Sequence, residues 1–155
     1  METNITSKVP VKWKPLPQGW LKLNIDAALS DGTKIGTVAA VIRDHNGNVL
    51  GGTVTKITAQ SILLAEAQAV REAIILADNL GIQKATIESD SQLLVQILKT
   101  GCTIWEVDPI IQDIRKIKRR IFISGFTWTP RGENKLAYIL STIKTLELAT
   151  QFMDS

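Results

Sequence analysis

At 155 residues the chain has the length of one domain and enough material to bury a substantial core. Its 45% apolar content sets it apart from fibrous and disordered classes, the two ends excepted. Eighteen Lys and Arg against fifteen Asp and Glu leave a formal charge of +3, which tolerates a polyanionic partner without indicating one.

Cys102 is the single cysteine, so a disulfide framework within the chain is excluded, and the count suits an intracellular, reducing compartment. With one cysteine and one histidine, His45, the composition argues against a structural zinc site. His45 lies in a turn-like segment and reads as a solvated turn residue. Residues 1–6 lack the apolar segment of a signal peptide, and the apolar stretches are too short or too interrupted to cross a bilayer, so no membrane partner is expected.

Residues 1–18 form an extended lead-in or linker, equally a junction to an upstream domain. Pro10, Pro15 and Pro17 disfavour regular structure there. Trp20 to Asp26 alternates as a strand, with Leu21, Leu23 and Ile25 on one face and Lys22, Asn24 and Asp26 on the other. Gly36 to Arg43 is a short β-branched strand, Asp44-His45-Asn46-Gly47 a turn, and Asn48 to Lys56 a third strand. The Asn46-Gly47 pair favours the left-handed backbone of a tight hairpin.

Ser61 to Leu80 then changes period. Ile62, Ala65, Ala69, Ala73, Leu76 and Leu80 recur at helical spacing, with Ser61 as N-cap and Gly81 as the stop. Lys84 to Ser89 is a strand. Asp90-Ser91 caps a helix from Gln92 to Lys99 that ends at Gly101. Another helix begins near Val107 or Pro109 and runs to about Arg120. Ile121 to Thr129 is the last strand, with Phe126 and Trp128 on one face. Pro130 to Glu133 is a loop, and Asn134 caps a final helix that fades before Gln151. The order β-β-β-α-β-α-α-β-α predicts an α/β domain over residues 19–148, a five-stranded mixed sheet flanked by helices, with residues 149–155 as a C-terminal tail.

Three acids stand out in that frame. Asp90 ends a strand and precedes a helix, a favourable place for an anion or its metal. If the first and fourth strands are parallel neighbours, Asp26 and Asp90 come together, and Glu66 can reach them from the long helix. Crowded carboxylates repel unless a cation neutralises them, and Mg2+ suits an all-oxygen ligand set. A solvated position for Glu66, a strand-edge or turn role for Asp26 and simple capping by Asp90 are the plain alternatives. Glu88 shares a face with Asp90 by strand alternation and could support the acids from behind, with solvent exposure its plain reading. The cluster Arg115, Lys116, Lys118, Arg119 and Arg120, followed by Arg131 and Lys135, is either a solvated face or a surface for phosphates.

The ordered set of motifs resembles the type 1 ribonuclease H domain, in the plant variety linked to reverse transcriptases of non-LTR retroelements. Trp13-Lys14-Pro15 with Pro17-Gln18-Gly19-Trp20-Leu21-Lys22-Leu23-Asn24-Ile25-Asp26 matches the family's opening. Val41-Ile42-Arg43-Asp44-His45-Asn46-Gly47 matches its second strand and turn. Ala65-Glu66-Ala67-Gln68-Ala69-Val70-Arg71-Glu72-Ala73 resembles the helix that carries an acid. Leu80-Gly81-Ile82 with Ile87-Glu88-Ser89-Asp90-Ser91 resembles its fourth strand, and Pro130-Arg131 with Asn134 and Leu136-Ala137 its final loop and helix.

The resemblance implies an RNase H-like fold and a divalent-metal endonuclease that hydrolyses the RNA strand of RNA/DNA hybrids with Mg2+ or Mn2+. It places Asp26, Glu66 and Asp90 on three of four metal-holding acids. It also assigns nucleic-acid contacts to Arg131, Asn134 and Lys135. Three departures weaken the match: Tyr138 stands where the fourth acid belongs, Ala27 replaces a glycine, and a loop histidine is missing. Glu133 would need a shifted backbone to substitute for the fourth acid, and Trp128 is expected to pack in the core or loop. The alternative is a catalytically inactive RNase H-like module that binds nucleic acid or a protein partner.

Overall fold

The alternation along the first strand places Leu21, Leu23, Ile25 and Ala27 in the hydrophobic core, each buried, against the apolar face of the long helix. The computed structural model describes residues 7–8, 19–30, 32–102, 104–120 and 122–128. Their elements in chain order are β1 (Ser7–Lys8), β2 (Leu21–Leu29), β3 (Ile35–Arg43), β4 (Val49–Thr58), α1 (Ile62–Asn79), β5 (Lys84–Ser89), α2 (Gln92–Thr100), α3 (Asp108–Lys118) and β6 (Phe122–Trp128). The expected final helix lies outside the described residues.

Five strands, β2 to β6, make the expected mixed sheet. Its order is β4-β3-β2-β5-β6, with β1 added at the β4 edge. The β2–β3 and β3–β4 pairs are antiparallel, whereas β2–β5 and β5–β6 are parallel. The two residues of β1 pair with Thr53 and Val54, so the lead-in contributes a short edge pairing that its prolines did not suggest.

β2 runs three residues beyond the expected end at Asp26, because the hairpin with β3 continues through Asp26↔Ala39 to Leu29↔Gly36. The chain passes close to itself there: a Cβ on Gly36 would overlap the carbonyl oxygen of Ala28. At the other hairpin, Asp44 Oδ1 accepts from the backbone N–H of Asn46 and Asn48, each at 2.9 Å. Of the Asn46-Gly47 pair Gly47 alone adopts the expected left-handed geometry, at φ 85°, and His45 is exposed.

The helices begin and end where their chemistry requires. Ser61 and Ser91 accept from the backbone N–H of Leu64 and Leu94 at 3.1 and 3.3 Å, closing the first turns of α1 and α2. Gly81 and Gly101 take positive φ at the ends of the same helices. Small residues let α1 approach the sheet closely: Ala65, Ala69, Ala73 and Ala77 are fully buried among Val70, Ile74, Leu23 and Ile25. Burying each large aliphatic side chain stabilises the fold by roughly 1.5–3 kcal/mol. Among the described residues no helix is long and apolar enough to cross a membrane.

Candidate active site

Asp26, Glu66 and Asp90 converge. Each offers a carboxylate oxygen, and the three oxygens lie within 4.8 Å of one another. The topology produces this convergence: β2 and β5 are parallel neighbours, as the strand argument required, and α1 starts at the same rim of the sheet. Asp26 and Glu66 are almost fully buried, at 4% and 2% exposure, which removes the strand-edge and solvated-helix alternatives.

Local bonds fix the approach of each acid. The backbone N–H of Ala27 donates to Asp26 Oδ1 at 2.9 Å. Glu66 lies in the second turn of α1, beyond the Ser61 cap; the Ser61 hydroxyl also donates to Glu106 in the segment before α3. Asp90 leaves capping to Ser91, which is the N-cap of α2, so its carboxylate points into the cluster beside the positive end of that helix. Its main-chain carbonyl accepts from the indole N–H of Trp128 at 3.2 Å.

Trp128 is 41% exposed, so of the expected core or loop packing the core half is corrected: at the last position of β6 its indole meets the main chain of Asp90. The Ala27 methyl belongs to the core cluster, opposite Asp26 by strand alternation. Glu88 is neither exposed nor a member of the acid cluster. Its two oxygens are engaged by Asn24 Nδ2 at 2.8 Å and Lys22 Nζ at 3.3 Å. Asn24 was legible only as a polar-face residue; its near burial and cross-strand bond were not.

The basic cluster at the end of α3 is elsewhere. β6 runs from Phe122 beside Lys84 to Trp128 beside Ser89, so residues leading into it occupy the opposite rim. Seven residues at about 3.3 Å each separate the rims by roughly 20 Å. Arg120 pairs with Asp78 at 3.5 Å, Arg115 donates to the Gly101 carbonyl at 3.1 Å, and Lys118 lies 5.0 Å from the Phe126 ring centre. Arg131, Glu133, Asn134, Lys135 and Tyr138 lie outside the described residues.

Three hard oxygen donors this close suit a divalent cation such as Mg2+ or Mn2+ better than a soft metal. Such an ion would remove the repulsion that the cluster otherwise carries. The donor chemistry therefore fits the expected metal.

Residues 24–143 match the family described as Reverse transcriptase-like. That span is well over half of the chain, and the chain belongs to this family. In fold it is an RNase H-like domain. It is similar to RNase H1 from the halophilic archaeon Halobacterium salinarum NRC-1, with TM-score 0.67 and 19% identity over 73% of this chain and 87% of that one. The N-terminal RNase H domain of a Mycobacterium tuberculosis protein, solved as a fusion with maltose-binding protein, gives TM-score 0.67 and 14% identity over 84% and 98%. LC11-RNase H1, solved in complex with an RNA/DNA hybrid, gives 0.66 and 17% over 78% and 91%. At these identities the likeness establishes the fold alone. No curated protein sequence matches the chain.

Proposed function

We propose that this domain is a divalent-metal-dependent endonuclease that hydrolyses the RNA strand of RNA/DNA hybrids, weakened by the loss of its fourth acid. The observation that carries the proposal is the convergence of Asp26, Glu66 and Asp90 within 4.8 Å. The likeness to a structure solved with an RNA/DNA hybrid supports the choice of substrate.

In this reading Asp26, Glu66 and Asp90 hold Mg2+ or Mn2+. A bound divalent ion supplies a more acidic water and neutralises charge on phosphoryl oxygens. The residues' own part is to keep their oxygens close together and shielded. Ala27 N–H holds Asp26 in place, and the Trp128 indole anchors the backbone of Asp90. Arg131, Asn134 and Lys135 contact the nucleic acid, Arg131 and Lys135 through its phosphates. Cleavage leaves a 5′-phosphate and a 3′-hydroxyl on the RNA strand.

The same proposal assigns the domain to residues 19–148, to the plant retroelement-associated variety and to an intracellular setting. The second reading, an inactive module that binds nucleic acid or a protein, is favoured by Tyr138 at the fourth acid position, since a neutral phenol is a poor Mg2+ ligand. Hybrids labelled on either the RNA or the DNA strand, incubated with Mg2+ or Mn2+, distinguish the two. The proposal expects cuts in RNA only, and intact RNA under every condition supports the inactive module.

A further inference from the structure

The parallel ladder between β2 and β5 runs Leu21↔Ala85, Lys22↔Thr86, Leu23↔Ile87 and Asn24↔Glu88, and it ends there. Beyond that rung β2 continues beside β3, while β5 stops at Ser89. The backbone pairing therefore gives out one turn of the pleat below Asp26 and Asp90. The two acids occupy the fork that it leaves.

At the last rung the side chains are joined as well. Asn24 Nδ2 donates to Glu88 Oε1 at 2.8 Å, and Arg43 Nε donates to Asn24 Oδ1 at 3.0 Å. Lys22 pairs with the other Glu88 oxygen at 3.3 Å. The result is a chain across three strands, Arg43–Asn24–Glu88–Lys22. A guanidinium can only donate and an ionised carboxylate can only accept, so the Asn24 amide has one orientation that satisfies both neighbours. Asn24 is 9% exposed, where such bonds gain strength and an unpaired amide is costly.

Asn24 stands two residues before Asp26, and Glu88 two residues before Asp90, so each shares a sheet face with its acid. We propose that Asn24 and Glu88 are positioning residues: their bond sets the spacing of β2 and β5 at the fork, and with it the separation of the Asp26 and Asp90 carboxylates. The inference rests on reading those acids as a divalent-metal site. It gives Glu88 a role other than ligand, since both of its oxygens are spent on Asn24 and Lys22. Arg43 and Lys22 close the two ends of the chain, one on the Asn24 amide and one on the Glu88 carboxylate.

The test is calorimetric titration of Mn2+ into the full chain, with thermal melting of every variant. Asn24→Leu and Glu88→Leu should each weaken Mn2+ binding about ten-fold, the lower end of what losing a ligand-orienting partner costs. The double variant should bind no more weakly than the weaker of the two single variants, because the Asn24–Glu88 bond that sets the spacing is already lost in each. Glu88→Gln keeps an oxygen to accept from Asn24 and should retain most of the affinity. Should the leucine variants fail to fold, Asn24→Ser and Glu88→Ser provide the same comparison. Equal losses in Glu88→Gln and Glu88→Leu would make the effect one of charge and overturn the positioning role. Unchanged affinity in a folded Asn24 variant would overturn it too. Asp26→Asn keeps the two ideas apart: it should abolish Mn2+ binding, and binding that survives it overturns the metal-site reading beneath this inference.

Discussion

Trp128 and Asp90 are 38 residues apart in the chain, yet the indole N–H of one donates to the main-chain carbonyl of the other at 3.2 Å. The bond ties the end of β6 to the residue that carries the third carboxylate. Trp128→Phe keeps an aromatic ring and removes the donor. It should lower stability by about 1 kcal/mol, the usual net worth of such a bond, and weaken Mn2+ binding as Asp90 loosens. Urea unfolding together with calorimetry checks this; two unchanged values would mean that the tether does not hold the acid.

The close passage of β2 and β3 gives a prediction with a built-in control. Gly36→Ala forces its methyl onto the Ala28 carbonyl and should cost roughly 1–3 kcal/mol or more, as overpacking does. Gly125→Ala meets open space and should cost nothing. Urea midpoints decide, and equal behaviour of the two variants would contradict the packing described around Gly36.

Glu72 supplies a pH dependence. Burial pushes its carboxyl above the ordinary value of 4.5, and the neighbouring Arg71 charge offsets only part of that. The folded state thus binds the Glu72 proton more tightly than the unfolded chain. The associated stability is fully present below 4.5 and is lost as pH rises through the elevated folded pKa. Glu72→Gln cannot ionise, so it should match the wild type in acid and melt higher than it at neutral pH. A melting-temperature difference that is the same at both pH values would refute the assignment.

The parts of this architecture that were legible are those written in local pattern. Alternation from Leu21 to Asp26, the caps at Ser61 and Ser91, and the stops at Gly81 and Gly101 each depend on neighbours a few residues away. The convergence of Asp26, Glu66 and Asp90 needed one further assumption, the parallel pairing of β2 with β5, and the family resemblance strengthened it. What pattern could not reach depends on distant partners. β2 outruns Asp26 because β3 is there to pair with it. Asn24 and Glu88 bond across 64 positions of sequence. The exposure of Trp128 follows from its place at the strand end, which alternation of Phe126 and Trp128 does not reveal.

The opposite-rim position of Arg119 and Arg120 separates two kinds of basic residue. Hybrid affinity should fall steeply with salt, because phosphate contacts release counterions. Replacing Arg131 and Lys135 should weaken binding about equally for any hybrid sequence. Replacing Arg119 and Arg120 should leave it unchanged. Fluorescence anisotropy at several salt concentrations tests this, and an affinity indifferent to salt and to the Arg131/Lys135 replacement would remove those two from the nucleic-acid surface.

The most direct test of the central claim is the rate at which a labelled RNA/DNA hybrid is cut, compared at matched Mn2+ among wild type, Asp26→Asn and Tyr138→Asp. The three-acid site predicts slow cleavage by the wild type, none by Asp26→Asn, and faster cleavage by Tyr138→Asp, since a carboxylate restores charged oxygen ligands that a phenol lacks. Cleavage that survives Asp26→Asn, or a Tyr138→Asp variant as slow as the wild type, would contradict it.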